Sequence, residues 1–343
     1  MMPILKVENL SKDFVKSLDL VAKGLNKIGQ NYKEEIVHAV DSVNFSIFKG
    51  EIVGVVGESG CGKSTLGRMV AGILQPTEGR VDFDTGQVKN KEIPDALLTQ
   101  MIFQDPFSSL NPRKRVIDII TEAPLYHKLI TKSEKRAFAA EMLQRVGLDP
   151  DTLERYPHQF SGGQRQRVNI ARALALDPEV LILDEAVSAL DKSVEAQVLN
   201  LLMDLKEEFK LTFIFISHDL NVVHYISDRG LVMYLGQVVE IGDVSAVYSN
   251  PKHPYTRALI SAMPSMNPEK RTEAVPLSGD PPNPISPPSG CRFRTRCPFS
   301  EDICASKEPT LIQNDVEKRQ SSACHMGDPH SGHSKNNLKG LPQ

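Results

Sequence analysis

The apolar residues of this chain fall into short blocks whose spacing changes between strand-like and helix-like. A strand is predicted over 39–47, where the pattern approaches a period of two towards its C-terminal end, and a second, largely buried strand over 51–56. A glycine-rich loop follows at once, and residues 66–73 have helical spacing. A strand, a glycine loop and a helix in this order are typical of the first unit of a nucleotide-binding α/β fold.

The same alternation returns later in the chain. Residues 105–160 are more helical and more charged, and a helix predicted over 132–146 ends at Gly147. The elements predicted after this region are a strand at 180–183, a helix at 194–206, a strand at 212–216, a helix at 220–226, and a strand pair at 231–233 and 238–241. The fold class is therefore α/β.

This pattern stops near residue 262. Eight prolines lie within 264–290, which indicates an extended and stiff connector. Four cysteines follow the connector, and the polar stretch from about residue 327 is predicted to be disordered.

Composition fits a globular protein and argues against some classes of function. Apolar residues make up 40% of the chain and charged residues 24%, and the net charge is -3, so a basic surface for nucleic acid is not indicated. The sequence has no run of about 18 apolar residues, which argues against a membrane span. Its first residues lack the parts of a signal peptide, so we expect a cytoplasmic chain that meets the membrane through partners.

The glycine-rich loop carries the first candidate chemistry. Residues 57–65 match the phosphate-binding pattern G-x-x-x-x-G-K-[ST] between a predicted strand and a predicted helix. Its glycines let the backbone amides turn inward to cradle a phosphate at a helix start. The predicted nucleotide-binding residues of the loop are Gly57, Glu58, Ser59, Gly60, Cys61, Gly62, Lys63, Ser64 and Thr65. Lys63 is expected to reach the β- and γ-phosphates, and Ser64 to coordinate Mg²⁺.

Two carboxylates end the strand predicted at 180–183. Asp184 is placed to hold Mg²⁺, directly or through water, and Glu185 is placed to act as general base on the attacking water. An acidic strand end that only marks a turn is the alternative, and the phosphate loop makes it the weaker interpretation.

Other motifs narrow the class of nucleotide-binding protein. Residues 160–167, Phe-Ser-Gly-Gly-Gln-Arg-Gln-Arg, resemble the signature sequence of ABC ATPases, in which the first residue is usually Leu. Gln104 matches the Q-loop of that family, residues 188–191 match its D-loop, and His218 matches its switch histidine. The resemblance covers about residues 3–250.

This resemblance implies a P-loop NTPase of the ABC type, with an antiparallel β subdomain and a helical subdomain inserted at about 105–170. It also implies a dimer that holds two ATP molecules between its chains. The residues that would face the γ-phosphate of ATP on the opposite chain are Ser161, Gly162, Gly163 and Gln164.

The same resemblance implies roles at the reacting phosphate. His218 would contact the γ-phosphate and help to hold the attacking water, and Gln104 would sense Mg²⁺ and water. The catalytic set is then Lys63, Glu185 and His218, and the Mg²⁺ set is Ser64, Gln104 and Asp184.

One position departs from the family pattern, and the aromatic residue that would stack on adenine has two candidates. Ala186 stands where the family usually has Pro after the catalytic Glu. Phe14 is the best placed candidate for stacking on adenine, and Tyr32 competes with it because a long segment separates Phe14 from the next strand.

Several segments resemble the ATPase subunits of dipeptide and oligopeptide importers, particularly the F-type subunit. They are residues 57–68, 108–113, 155–158, 250–256 and 288–291, and they extend the resemblance to about residue 326. It implies an ATPase at the cytoplasmic face of the membrane that powers peptide import. The implied partners are a second, homologous but non-identical ATPase subunit, two transmembrane permease subunits and an extracytoplasmic peptide-binding protein. Close relatives import nickel or other small solutes, so that alternative stays open.

The four C-terminal cysteines are Cys291, Cys297, Cys304 and Cys324. In a reducing compartment they suggest a metal site rather than disulfides. Four thiolates suit an iron–sulfur cluster or Zn²⁺, and the lack of a C-x₂-C pair weakens the zinc interpretation. The importer resemblance implies a [4Fe–4S] cluster at these positions, with Zn²⁺ or no metal as alternatives.

The predicted plan is therefore an ATP-binding domain at 1–250, a Pro-rich connector at 251–290, a Cys-rich extension at 291–326 and a disordered tail at 327–343. A non-transport ABC ATPase is a different-class alternative. The repair type needs a long coiled coil between loop and signature, for which there is no room, and the ribosomal type carries two nucleotide sites. A metal-binding regulator is disfavoured by the complete ATPase motif set.

Overall fold

The computed structural model describes residues 2–16, 34–84, 97–263 and 279–335. Its strands are β1 (Leu5–Lys16), β2 (Glu35–Ile47), β3 (Ile52–Val56), β4 (Glu78–Phe83), β5 (Thr99–Ile102), β6 (Val180–Asp184), β7 (Thr212–Ile216), β8 (Arg229–Tyr234), β9 (Gln237–Asp243), β10 (Ile312–Asp315) and β11 (Gln320–Ser322). Its helices are α1 (Lys63–Val70), α2 (Val116–Tyr126), α3 (Lys135–Arg145), α4 (Gly162–Leu174), α5 (Lys192–Phe209), α6 (Leu220–Ile226), α7 (Val244–Ser249), α8 (Pro254–Ser261) and α9 (Asp302–Ser306).

A large sheet forms the centre of the molecule, with the order β10-β11-β9-β8-β3-β7-β6-β5. Strands β8, β3, β7, β6 and β5 run parallel to one another, and β9 pairs antiparallel with β8. Every residue of β3, β6 and β7 is buried, which explains why these strands appear in the sequence as continuous apolar runs. The parallel arrangement brings the carboxyl ends of these strands to one edge of the sheet.

A second sheet of three antiparallel strands has the order β2-β1-β4. Leu5 in β1 lies opposite Ile47 of β2 on one side and Phe83 of β4 on the other. Its apolar face shares a core with Leu66 of α1 and with Ile182 of the large sheet. This small sheet therefore packs against α1.

The helices α2, α3 and α4 are inserted between β5 and β6. Ile120, Leu143 and Val168, one from each helix, belong to the same buried cluster as Phe213 of the large sheet. The insertion thus shares its core with the sheet through α4. It corresponds to the helical subdomain expected at about 105–170.

The C-terminal region continues the large sheet. In β11, Ser321 and Ser322 pair antiparallel with Ile241 and Glu240 of β9, and β10 pairs with β11. The sequence predicted a connector from residue 251, but α8 begins at Pro254, because the His253 ring accepts the Tyr255 amide at 3.1 Å and caps the first turn.

The first part of the predicted disordered tail also differs from expectation. His333 is only 2% exposed, and its Nε2 lies 3.0 Å from the Phe299 carbonyl oxygen. Residues 327–335 are therefore packed against the Cys-rich extension. Residues 336–343, and residues 264–278 of the Pro-rich connector, lie outside the described ranges.

Within the ranges that the structure describes, no helix has both the length and the apolar character that crossing a bilayer requires.

Candidate functional site

The glycine-rich loop joins β3 to α1 and is pressed closely against other backbone. Gly57 and Gly62 have φ values of 154° and 107°. A Cβ atom at Gly57 would lie 2.3 Å from the Met233 carbonyl oxygen, and one at Gly62 would lie 2.3 Å from the Ala39 carbonyl oxygen. Because α1 begins at Lys63, the loop presents the unpaired amides of a helix start, which favour an anion.

The Lys63 ammonium lies across this loop. Its Nζ donates to the carbonyl oxygens of Gly57 at 2.7 Å and Glu58 at 3.0 Å, and the residue is only 6% exposed. These acceptors are neutral. A phosphate group at the loop would offer the same cation a charged acceptor, and charge-assisted bonds of this kind are stronger.

A hydroxyl and a carboxylate meet beside the loop. Ser64 Oγ donates to Asp184 Oδ1 at 2.7 Å, which joins the start of α1 to the end of β6. Burial raises the pKa of the Asp184 carboxyl, and the Ser64 hydrogen bond and the cations Arg68 and Lys63 act in the opposite direction. Oxygen ligands of these two types are those that Mg²⁺ prefers.

The Glu185 carboxylate is the meeting point of three separate motifs. Its Oε2 accepts from Gln104 Nε2 at 2.9 Å and lies 3.3 Å from His218 Nδ1. These residues follow β6, β5 and β7, which are neighbours in the sheet. Glu185 itself has φ 49°, a left-handed conformation that costs a non-glycine residue about 1–3 kcal/mol. The amide of Glu185 donates to the Ile216 carbonyl oxygen at 2.9 Å, which holds this turn in place.

An open groove of about 500 Å³ lies between the phosphate loop and the helical insertion. Its lining residues combine cations with oxygen ligands and are Ser64, Arg68, Phe103, Gln104, Asp105, Ser108, Ser109, Arg172 and Asp184. The groove therefore has room for phosphate oxygens and a hydrated cation next to the Ser64–Asp184 pair.

The signature motif stands apart from this groove. Ser161 is the N-cap of α4, and its Oγ accepts the Gln164 amide at 3.3 Å while Gln164 Oε1 accepts the Ser161 amide at 3.0 Å. Both side chains are exposed. A Cβ atom at Gly163 would lie 2.4 Å from Val194 Cγ1, so the signature helix packs closely on α5. The motif thus presents a polar helix start to the outside of this chain.

The two candidates for adenine stacking differ in what the structure describes. Phe14 lies in β1, is 43% exposed, and has Lys12 Nζ 5.5 Å from its ring centre. Its ring is therefore partly exposed, with the Lys12 ammonium over it. Tyr32 lies outside the described residues.

All four C-terminal cysteines line one small cavity, together with His253, Phe293 and His325 among others. Their thiols form no disulfides. Burial raises the pKa of Cys291 to about 12, of Cys297 to about 11 and of Cys324 to about 12. Within the described ranges, however, no three His, Cys, Asp or Glu side chains are grouped as one metal ion would require. The iron–sulfur prediction is thus not confirmed.

Sequence reasoning missed two residues that reach the phosphate loop from the C-terminal region. The Tyr255 hydroxyl accepts the Glu58 amide at 2.9 Å, and Arg296 pairs with the Glu58 carboxylate at 2.8 Å. Neither residue belongs to a nucleotide-binding motif, and the sequence carries no signal that joins them to the loop.

Two family models match the chain. The model described as ABC transporter matches residues 40–188, and the model described as Oligopeptide/dipeptide transporter, C-terminal region matches residues 239–304. The first match contains the phosphate loop, Glu185 and the signature, and the second contains three of the four clustered cysteines.

Curated relatives match over most of their length. The chain is 47% identical to the dipeptide transport ATP-binding protein DppF of Escherichia coli (strain K12), with 88% of this chain and 92% of that protein covered. It is 48% identical to the oligopeptide transport ATP-binding protein AppF of Bacillus subtilis (strain 168), with 84% and 90% covered.

Solved structures share the fold. A dimeric ATP-binding cassette in a post-hydrolysis state, bound to ADP and phosphate, has a TM-score of 0.56 and 30% identity over 70% of this chain and 98% of that one. The structure of cbiO1 from Clostridium perfringens, part of the ABC transporter complex cbiONQ, has a TM-score of 0.56 and 28% identity, with 72% of this chain and 91% of that one covered.

Proposed function

Because this chain belongs to the ABC transporter family of ATP-binding subunits, in the branch with the oligopeptide/dipeptide C-terminal region, we propose that it hydrolyses ATP to power the import of di- and oligopeptides. The observation that carries the catalytic part is the convergence of Gln104 and His218 on the Glu185 carboxylate, beside the phosphate loop.

The phosphate loop and Lys63 would bind the β- and γ-phosphates, and Ser64, Asp184 and Gln104 would hold Mg²⁺. The metal supplies positive charge against the developing charge on the phosphate oxygens. Glu185 would accept a proton from the water that attacks the γ-phosphorus, while the bond from that phosphorus to the ADP oxygen breaks. Gln104 and His218, each within 3.3 Å of Glu185, would hold this carboxylate and the water in line.

A second ATPase chain would complete the site. The exposed start of α4, with Ser161 and Gln164, would meet the γ-phosphate bound by the partner. The homology to a solved dimeric cassette supports this arrangement. The pair would act at the cytoplasmic face of the membrane on two permease subunits, with peptide delivered by a binding protein outside, and the ATPase partner would be a homologous, non-identical chain.

Peptide import is tested by uptake in cells that lack this gene. Expression of the chain should restore uptake of radiolabelled di- and trialanine. Glu185→Gln at equal expression should not restore it, whereas Glu207→Gln, which changes an exposed carboxylate of α5, should. Restored nickel uptake without peptide uptake would instead support the small-solute alternative.

For the Cys-rich extension we propose a [4Fe–4S] cluster held by Cys291, Cys297, Cys304 and Cys324. The convergence of these thiols on one cavity supports the fit. The cluster would supply a covalent cross-link between four positions of a short segment, and its binding would require the buried thiols to lose their protons.

Anaerobic purification with iron, sulfide and zinc analysis tests this assignment. We expect about four irons and four sulfides per chain, lost on changing the four cysteines to Ser. The Cys61→Ser variant is the matched control, since Cys61 lies in the phosphate loop, and it should keep the full iron content. One zinc per chain, or no metal, would contradict the cluster.

A further inference from the structure

The Cys-rich extension reaches the phosphate loop through an ion pair with the Glu58 side chain. Arg296 Nη1 donates to Glu58 Oε2 at 2.8 Å, and Arg296 Nη2 donates to Glu58 Oε1 at 3.0 Å. The Arg296 side chain is only 5% exposed and that of Glu58 22%. Two parallel bonds between a planar guanidinium and a carboxylate fix both charge and orientation.

Glu58 is held at its backbone as well. Its amide donates to the Tyr255 hydroxyl at 2.9 Å, and its carbonyl oxygen accepts Lys63 Nζ at 3.0 Å. The second residue of the loop is thus fixed through its amide, its carbonyl and its side chain. Two of these contacts come from the C-terminal region rather than from the ATP-binding core.

The segment that carries Arg296 also forms a wall of the cysteine cavity. Phe293 and Cys297 line that cavity, and the Arg296 amide donates to the Phe293 carbonyl oxygen at 3.0 Å. The Phe293 ring, 2% exposed, packs with its centre 5.5 Å from that of Tyr255. The cavity wall, Arg296 and Tyr255 therefore form one packed unit.

The negative charge of Glu58 lies in a loop that is proposed to bind ATP, which is itself a polyanion. A lone carboxylate in this loop would repel the phosphates of ATP, and the repulsion is strong where water is partly excluded. Arg296 neutralises that carboxylate, while Lys63 bonds to the Glu58 carbonyl oxygen instead. The loop's own lysine is then left to act on the nucleotide.

We propose that Arg296 is a positioning residue of the ATP site: it neutralises and orients Glu58, and through it the Cys-rich extension sets the affinity of the phosphate loop for ATP. The inference needs nucleotide binding at the loop, and it does not depend on which solute is transported.

The test is nucleotide binding to the full chain purified anaerobically, measured with a fluorescent ATP analogue with and without Mg²⁺. Arg296→Gln should weaken binding of the Mg²⁺ complex about tenfold, and binding of the free, more negative nucleotide by a larger factor. Glu58→Gln/Arg296→Gln should return affinity to within about threefold of wild type, because the uncompensated charge is gone. A double variant as weak as Arg296→Gln alone would overturn the proposal.

Two further variants separate charge from structure. Arg319→Gln is the matched control, because Arg319 Nη2 pairs with Asp243 Oδ1 at 2.7 Å and joins the same extension to the end of β9, away from the loop. Arg319→Gln should bind ATP with wild-type affinity. A tenfold loss of affinity in this variant would mean that any loosening of the extension is enough to weaken ATP binding. Arg296→Lys keeps the charge but not the paired geometry, so its ATP affinity should lie between those of wild type and Arg296→Gln, and a loss as large as that of Arg296→Gln would also overturn the proposal. A wild-type chain that binds no nucleotide would refute the proposed ATPase function instead.

Discussion

Changing Glu185 to Gln should lower ATP hydrolysis by about 10²- to 10⁴-fold and leave ATP binding intact. The substitution keeps the shape of the side chain, and an amide oxygen can still accept from Gln104 Nε2, now 2.9 Å away. What it removes is the basic carboxylate that would take the proton of the attacking water. Phosphate release by the assembled transporter, together with nucleotide affinity, would measure the two effects separately.

Glu207→Gln serves as the control for this experiment, because the Glu207 side chain is 79% exposed and lies on α5, outside the groove. It should hydrolyse ATP at the wild-type rate. If Glu185→Gln kept more than a tenth of the wild-type rate, the base would have to be another group, and His218, 3.3 Å from Glu185, would be the next candidate.

Changing Lys63 to Met should abolish both binding and hydrolysis. The Lys63 ammonium is buried over the loop, and no other cation contacts the Gly57 carbonyl oxygen among the hydrogen bonds of the described residues. Loss of a preorganised charge at a transferring phosphoryl group costs about 10²- to 10³-fold in rate. Equilibrium binding of radiolabelled ATP, followed by a hydrolysis assay, would show whether both activities fall.

Lys132→Met is the comparison for this variant, since Lys132 is an exposed lysine of the helical insertion. Wild-type ATP affinity and wild-type hydrolysis in Lys63→Met would be incompatible with the proposed phosphate site. Loss of hydrolysis with retained binding, as expected for Glu185→Gln, would contradict the binding role of Lys63 and assign it to the reaction step alone.

The elements predicted best from the sequence include strands that are buried on both faces. The strand at 212–216 has the predicted bounds, because a strand covered on both faces is an unbroken apolar run. The helix at 220–226 also has the predicted bounds, whereas the ends of other elements were less accurate. The helix predicted from residue 66 begins at Lys63, because the last residues of the phosphate loop already have helical geometry.

The two parts of the candidate site were predicted from different kinds of information. The phosphate loop follows from local spacing and physical chemistry. The meeting of Gln104, Glu185 and His218 does not, since sequence spacing alone contains no information on which strands become neighbours in the sheet. That expectation depended on the family resemblance.

The C-terminal region was predicted least well. Its prolines and polar residues suggested a linker and a tail, but His253 caps a helix that starts at Pro254, and His333 is buried. The contact of Arg296 with Glu58 spans 238 positions, and no periodicity relates residues so far apart. Long-range ion pairs of this kind become visible only when the fold is known.

The pairing of β11 with β9 also affects how the protein behaves among its own copies. A sheet edge with unpaired amides and carbonyls is a template onto which another chain can add a strand. The extension closes that edge, since the Ala323 amide donates to the Val239 carbonyl oxygen at 2.9 Å and Ser321 lies opposite Ile241. The new outermost strand, β10, has only four residues and ends in Asp315, a short and charged border that resists such addition. By covering this edge, the Cys-rich extension therefore also hinders aggregation. An ATPase domain that ended before the extension would expose the edge of β9.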